Sequence, residues 1–244
     1  MGVRRTDAVI GMGEVGNALT DVLSAGGHEV ITYDIKDGPT TTNFAPVDVL
    51  NICFPYDKRH SIPGIFEHNV NYWQVRFLPQ ETVIHSTVPV GTSRRLGAIH
   101  SPVIGLHPNL SHSLLTFTKF LGGERAEKVA DHFRSTGMKV YLIKDQETTE
   151  LMKILSTTYH ALNVEWTKEV AAMCKDRDIP YEAWTLWTDN YNRGYNELGY
   201  PEYTRPQLIP ITTKIGGHCL LPNARFIEEN NEFARVILKR NDYE

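Results

Sequence analysis

The run Gly11-Met12-Gly13-Glu14-Val15-Gly16 has the types and spacing to hold a phosphate. It is a G-x-G-x-x-G sequence between a strand-like and a helix-like segment. In that setting Gly11 permits a tight turn and Gly13 lets the backbone approach a pyrophosphate. Gly16 lets helix and strand pack closely. The helix N-terminus then presents unpaired N–H groups to the phosphates. Asp34 follows Gly16 by 18 positions, at the end of the next strand-like segment. A carboxylate there bonds the adenosine ribose hydroxyls and repels a 2′-phosphate, which favours NAD over NADP. Lys36 beside it weakens that preference. The expected cofactor contacts are the six loop residues, Asp34 and Ile35, with Phe54, Pro55, Ser86 and Thr87 at the ends of later strands.

A thiol offers a second kind of chemistry. Cys219 lies in Ile215-Gly216-Gly217-His218-Cys219-Leu220-Leu221-Pro222-Asn223. Pro222 marks a helix entry, and a thiol near a helix N-terminus has its thiolate stabilised. Gly216 and Gly217 remove side chains that would block a ligand. The alternative is a small buried cysteine in a turn. Cys53, on a strand, and Cys174, on a helix, read as core. His218 either orients the loop or contacts ligand.

The elements that would carry these groups fall in two patterns. Over residues 1–145, short apolar runs alternate with helical ones. Strands are expected at Ala8 to Ile10, Glu29 to Asp34, Val47 to Phe54, Thr82 to Ser86, Val103 to Leu106 and Lys139 to Ile143. A helix is expected from Val15 to Ala25, closed by Gly26-Gly27. The alternation predicts an α/β fold, a doubly wound, mostly parallel sheet of Rossmann type. Residues 146–244 read as a smaller, all-helical domain. From Glu147 to Asp178 there is no Gly or Pro, and apolar residues recur at helical steps. About 30 helical residues span ~45 Å, more than a small domain needs to cover, so this helix is expected to pack on a second copy in a homodimer. Pro180 stops it. A polar aromatic stretch, Trp184 to Tyr203, follows, and a last helix is expected from Ala224 to Lys239.

Composition excludes several classes. With 244 residues, 25 Lys+Arg against 29 Asp+Glu and 41% hydrophobic content, the chain is globular and mildly acidic, which argues against nucleic acid as partner. Three separated cysteines form no disulfide framework, so a cytoplasmic, reducing setting is expected. No apolar run approaches a membrane span, and the start runs into a strand without room for a signal peptide.

Further segments resemble the UDP-glucose/GDP-mannose dehydrogenase family, of 6-phosphogluconate dehydrogenase-like architecture. Val47-Asp48-Val49-Leu50-Asn51-Ile52-Cys53-Phe54-Pro55 is similar to its third strand. Ser86-Thr87-Val88-Pro89-Val90-Gly91-Thr92 is similar to its STVPVGT loop. Glu150-Leu151-Met152-Lys153 is similar to its catalytic-lysine segment, and the Gly-Gly-His-Cys loop to its active-site loop. These stand in the family's order over about residues 7 to 230. The resemblance implies an NAD-dependent oxidation of a CH–OH group in a small-molecule substrate, continuing through a covalent thioester to an acid. Cys219 would be the nucleophile. Lys153 would stabilise the oxyanion, and Thr87 would position a water or the substrate hydroxyl. Without the resemblance, Lys153 reads as a solvated helix face.

The chain also departs from that pattern. Thr157 stands where the family has Asn, and Asn223 where it has Asp. Neither can act as a base near neutral pH, so the hydrolytic step lacks its carboxylate. Gly105-Leu106-His107-Pro108-Asn109 resembles the His-Pro-Met stretch of prephenate dehydrogenases, which offers His107 as an acid/base group. His107 and His112 lack further residues at ligand spacing, so no metal is expected. The family continues with a nucleotide-sugar-binding domain, whereas this sequence stops about 25 residues after Cys219. That implies a smaller substrate, one held across a dimer, or a separate partner protein. Three readings remain open: an acid-forming dehydrogenase through Cys219, a two-electron dehydrogenase of prephenate or hydroxyacid type using His107 and Lys153, and a non-catalytic NAD-binding protein.

Overall fold

The computed structural model describes residues 5–34, 44–56, 64–217 and 219–242. Ile35, Lys36 and His218 lie outside these. In chain order the elements are β1 (Thr6–Ile10), α1 (Glu14–Ala25), β2 (Glu29–Tyr33), β3 (Val49–Ile52), α2 (Ile65–Phe77) and β4 (Glu81–Ile84). Next come α3 (Thr92–Arg95), β5 (Ile99–His100), α4 (Leu110–Thr116), β6 (Thr118–Gly122), α5 (Glu127–Arg134) and β7 (Lys139–Ile143). The helices α6 (Gln146–Asp176), α7 (Tyr181–Glu197), α8 (Leu220–Ala224) and α9 (Glu232–Asp242) complete the chain. It divides into two compact units, Met1–Lys153 and Ile154–Glu244.

The first unit is a sheet of seven strands among the described residues, in the order β2-β1-β3-β4-β5-β6-β7. All pairings are parallel except β5 with β6, where His100 faces Gly122. Its strands are apolar because both faces are covered. On β1 the alternation is direct: Val9 packs with Leu19, Leu23, Leu114 and Phe133 of α1, α4 and α5. Ala8 and Ile10 pack on the other face with Phe66, Val70, Trp73 and Phe77 of α2. This is the doubly wound, Rossmann-type architecture expected from the alternating pattern.

One expectation in this unit needs correction, and one strand was not expected. Val103 to Leu106 is not a strand; the strand at this point is Ile99–His100. Pro102 cannot donate to a ladder, and a Cβ at Gly105 would lie 2.5 Å from the Ser113 side chain, so the segment turns instead toward α4. The second point is β6, which was not anticipated.

The second unit packs the later part of α6 with α9 and α8. Ala161, Ile215 and Ile237 form one small apolar cluster, and Ala224, Ala234 and Leu238 another. Arg240 pairs with Glu165 at 2.9 Å and Glu169 at 2.7 Å. Asn241 donates to Glu165 at 3.0 Å and accepts from the Ile215 N–H at 2.8 Å. The aromatic stretch forms α7. The helix expected from Ala224 to Lys239 starts only at Glu232, as α9, with α8 ending at Ala224 before it; Asn231 accepts from the Ala234 N–H at 2.9 Å and starts the new helix.

Candidate functional site

In the sheet order β1 lies between β2 and β3, so the topology reverses at β1 and opens a crevice beyond the strand ends. The glycine loop occupies that crevice. Gly11 has φ +96°, and its N–H donates to the Tyr33 carbonyl at 2.8 Å. A Cβ on Gly11 would lie 2.6 Å from the Phe54 nitrogen, and one on Gly16 only 2.0 Å from the Gly11 oxygen. These two glycines are demanded by the fold. Gly13 is different: it caps α1 with an ordinary φ of −77°, and a Cβ there would meet nothing within 4 Å. Packing does not require it to be bare, whereas a close-lying ligand would.

Around the loop, Asp34 accepts from the Met12 N–H at 2.7 Å, which holds the carboxylate at the end of β2 against the turn. Asn17 donates to the Met12 carbonyl at 3.0 Å. Val15 packs against the core beneath. Ser86 donates to the Phe54 carbonyl at 2.6 Å, joining the ends of β3 and β4; Pro55 and Thr87 continue from those two residues. Glu14, in the first turn of α1, pairs with His107 Nδ1 at 2.7 Å.

The first turns of α6 are tied to the same unit. The Glu150 carboxylate accepts the Gly91 and Ser93 N–H groups at 2.5 and 2.8 Å, capping α3 and setting the loop that begins at Ser86. Burial raises its pKa, and those N–H bonds work against the rise. Lys153 Nζ donates to the Val103 carbonyl at 2.9 Å, so this lysine is held at the chain leaving β5 rather than on a solvated face. His100 contacts the Thr149 hydroxyl at 2.8 Å and the Ser86 carbonyl at 3.2 Å, and burial lowers its pKa to about 3. Beside it, Lys119 lies 3.1 Å from His85 Nδ1, and burial lowers its pKa to about 7. Burial likewise pushes the Cys53 thiol up to about 12, which makes it a poor nucleophile.

The second unit holds Cys219, Thr157 and Asn223. Cys219 is exposed and immediately precedes α8. That helix has only five residues, so its dipole gives little of the thiolate stabilisation inferred from a long helix starting at Pro222. Asn223 donates to the Thr157 hydroxyl at 3.2 Å, and Thr157 donates to the Ile154 carbonyl at 3.0 Å. The two departures from the family pattern are thus a mutually bonded pair.

Sequence reading missed the capping by Glu150, the Glu14–His107 pair and the buried His85, His100 and Lys119. Only Glu150 carried a signal, as a carboxylate in a recognisable segment; the others meet through tertiary contact alone.

A parallel sheet reversing at a glycine turn, with a carboxylate closing the neighbouring strand, defines a Rossmann-type dinucleotide fold. No protein-family model matches the chain. A curated relative, UDP-N-acetyl-D-mannosamine dehydrogenase of Methanococcus maripaludis, is 22% identical over 96% of this chain and 64% of its own length. The chain therefore spans less than two thirds of that relative. Among solved structures, the UDP-D-ManNAc dehydrogenase of Pyrococcus horikoshii aligns with a TM-score of 0.76 at 17% identity, covering 97% of this chain and 68% of that one. The 3-hydroxyisobutyrate dehydrogenase of Mycobacterium tuberculosis aligns at 0.72 with 13% identity, covering 99% and 94%. The resemblance to nucleotide-sugar dehydrogenases read from the motifs thus extends to overall sequence and fold. No helix among the described residues is long and apolar enough to cross a membrane.

Proposed function

We propose that the chain is an NAD-dependent dehydrogenase acting on a CH–OH group of a nucleotide-sugar-like substrate. The observation that carries this reading is Gly13, bare at the N-terminus of α1 with no packing reason, beside an Asp34 held against the same turn. Gly11 to Gly16 and Asp34 would hold the dinucleotide, with Ser86 and Thr87 at its nicotinamide end, and bound NAD would supply the hydride acceptor for each oxidation. Lys153 would stabilise charge on the substrate oxygen. In the acid-forming version, the Cys219 thiolate adds to the aldehyde carbonyl. Loss of a second hydride gives a thioester, and water then releases the acid and restores the thiol. The bonded Thr157–Asn223 pair would orient that water without acting as its base.

The two-electron version keeps the cofactor site and omits the thioester, with His107 and Lys153 as acid/base groups. It is favoured by the hydroxyisobutyrate dehydrogenase alignment, which spans nearly that whole protein. Product stoichiometry separates the two. With UDP-N-acetyl-D-mannosamine as the first substrate tried, two NADH per turnover and loss of acid in Cys219→Ser support the covalent route. One NADH per turnover supports the other, and no NADH binding refutes both. This reading also places the enzyme in the cytoplasm as a homodimer. Met152, Leu155, Tyr159, Trp166 and Met173 of α6 are exposed, and Trp166 and Trp184 help line an open cavity of about 820 Å³. A monomer in sedimentation at micromolar concentration would refute the dimer.

A further inference from the structure

Asp7, His28 and His132 bring three possible metal-ligand atoms within 4.8 Å of one another, all three residues being buried. Asp7 lies near the start of β1, His28 just before β2 and His132 on α5. The cluster therefore sits at the opposite end of β1 from the glycine loop. His28 Nδ1 is 2.7 Å from Asp7 Oδ2, and His132 Nε2 is 2.9 Å from the same oxygen. Asn51 donates to the other carboxylate oxygen at 2.8 Å.

The hydrogens around His28 can be assigned in turn. Ser135 Oγ lies 2.7 Å from the His132 carbonyl, which only accepts, so the hydroxyl hydrogen goes there. Ser135 Oγ also lies 3.0 Å from His28 Nε2, and with its hydrogen committed it must accept from an Nε2–H. A neutral imidazole carrying that hydrogen presents a lone pair at Nδ1. This lone pair would point at a carboxylate oxygen, so either a proton or a metal ion lies between the two atoms. A second imidazole nitrogen, His132 Nε2, lies 2.9 Å from the same oxygen and 3.0 Å from Oδ1. Two nitrogens and one carboxylate form a ligand set suited to zinc rather than magnesium or calcium. The outer partners are also present: Asn51 orients the carboxylate, and Ser135 fixes the His28 tautomer.

We propose that Asp7 Oδ2, His28 Nδ1 and His132 Nε2 bind a zinc-class divalent cation, which clamps the β1–β2 edge to α5. The ligands are 21 and 125 residues apart, so no short motif announces the site. Its role is structural, because it lies away from the crevice, and it does not depend on the dinucleotide reading.

The test is zinc binding by the whole chain after chelator treatment and dialysis. One equivalent of zinc per chain is expected by elemental analysis, with a rise in Tm on adding ZnCl2. His132→Gln abolishes this binding, Ser135→Ala weakens it about 10- to 100-fold, and Cys219→Ser leaves it intact. Should His132→Gln not fold, cobalt in the wild-type chain supplies the readout: visible d–d bands without thiolate charge-transfer absorption support nitrogen and oxygen ligands. No stoichiometric binding and no Tm shift would overturn the proposal. Binding unaffected by His132→Gln, or lost in Cys219→Ser, would also overturn it.

Discussion

Replacing the three loop glycines one at a time by alanine separates what the fold needs from what a ligand needs. At Gly16 the new Cβ would sit 2.0 Å from the Gly11 oxygen, more than 1 Å inside ordinary contact and against backbone that cannot rotate away. Such overpacking costs about 3 kcal/mol. For a chain of this size that lowers Tm by roughly 6–12 °C. Gly11→Ala combines a 2.6 Å contact with a φ of +96°, adding a strain of about 1–3 kcal/mol. Gly13→Ala meets nothing and keeps an allowed φ, so its cost is that of a poorer N-cap, at most about 1 kcal/mol. Its methyl group projects where a pyrophosphate would lie against the backbone, and it should weaken NADH binding at least about tenfold, or ~1.4 kcal/mol. Thermal unfolding and NADH fluorescence titration read the two effects separately. Gly13→Ala that binds NADH like wild type would refute a dinucleotide at this turn. Gly16→Ala that melts like wild type would refute the packing argument.

Two further predictions concern buried charges beneath the Ser86 loop. Lys119 has its pKa lowered from 10.5 to about 7 by burial, so the folded chain binds fewer protons than the unfolded chain between those values. Wild-type stability should therefore rise as pH goes from about 7 to 10, while Lys119→Met lacks that rise and gains up to about 5 kcal/mol at pH 7, less the lost His85 contact. Urea unfolding of both proteins at several pH values checks this, and parallel profiles would contradict it. Glu150→Ala strips the Gly91 and Ser93 N–H groups of their acceptor. It should cost about 2–4 kcal/mol in the same assay; an unchanged midpoint would show that the cap contributes nothing.

What the sequence revealed and what it hid differ in range. The glycine loop and Asp34 act through adjacent elements, β1, α1 and β2, so spacing alone was enough to place them. The parallel strands were readable because burial on both faces makes them continuous apolar runs. Strand β6 escaped because Thr118-Lys119-Phe120-Leu121-Gly122 places a lysine at a position that is buried only once α5 covers it. Val103 to Leu106 misled for the converse reason, being apolar without a ladder to join. The break between α8 and α9 was written in Asn230-Asn231, but an asparagine cap competes with helix continuation and only the tertiary setting decides between them. The chemistry divides in the same way. Glu150 and Lys153 look like two polar positions on one helix. Their functions separate only when one carboxylate meets two loop amides and the ammonium meets the Val103 carbonyl. The Glu14–His107 pair joins residues more than ninety positions apart and had no local signal. Motifs therefore identified which groups are present, whereas each group's partner, which determines what it can do, came only from the folded chain.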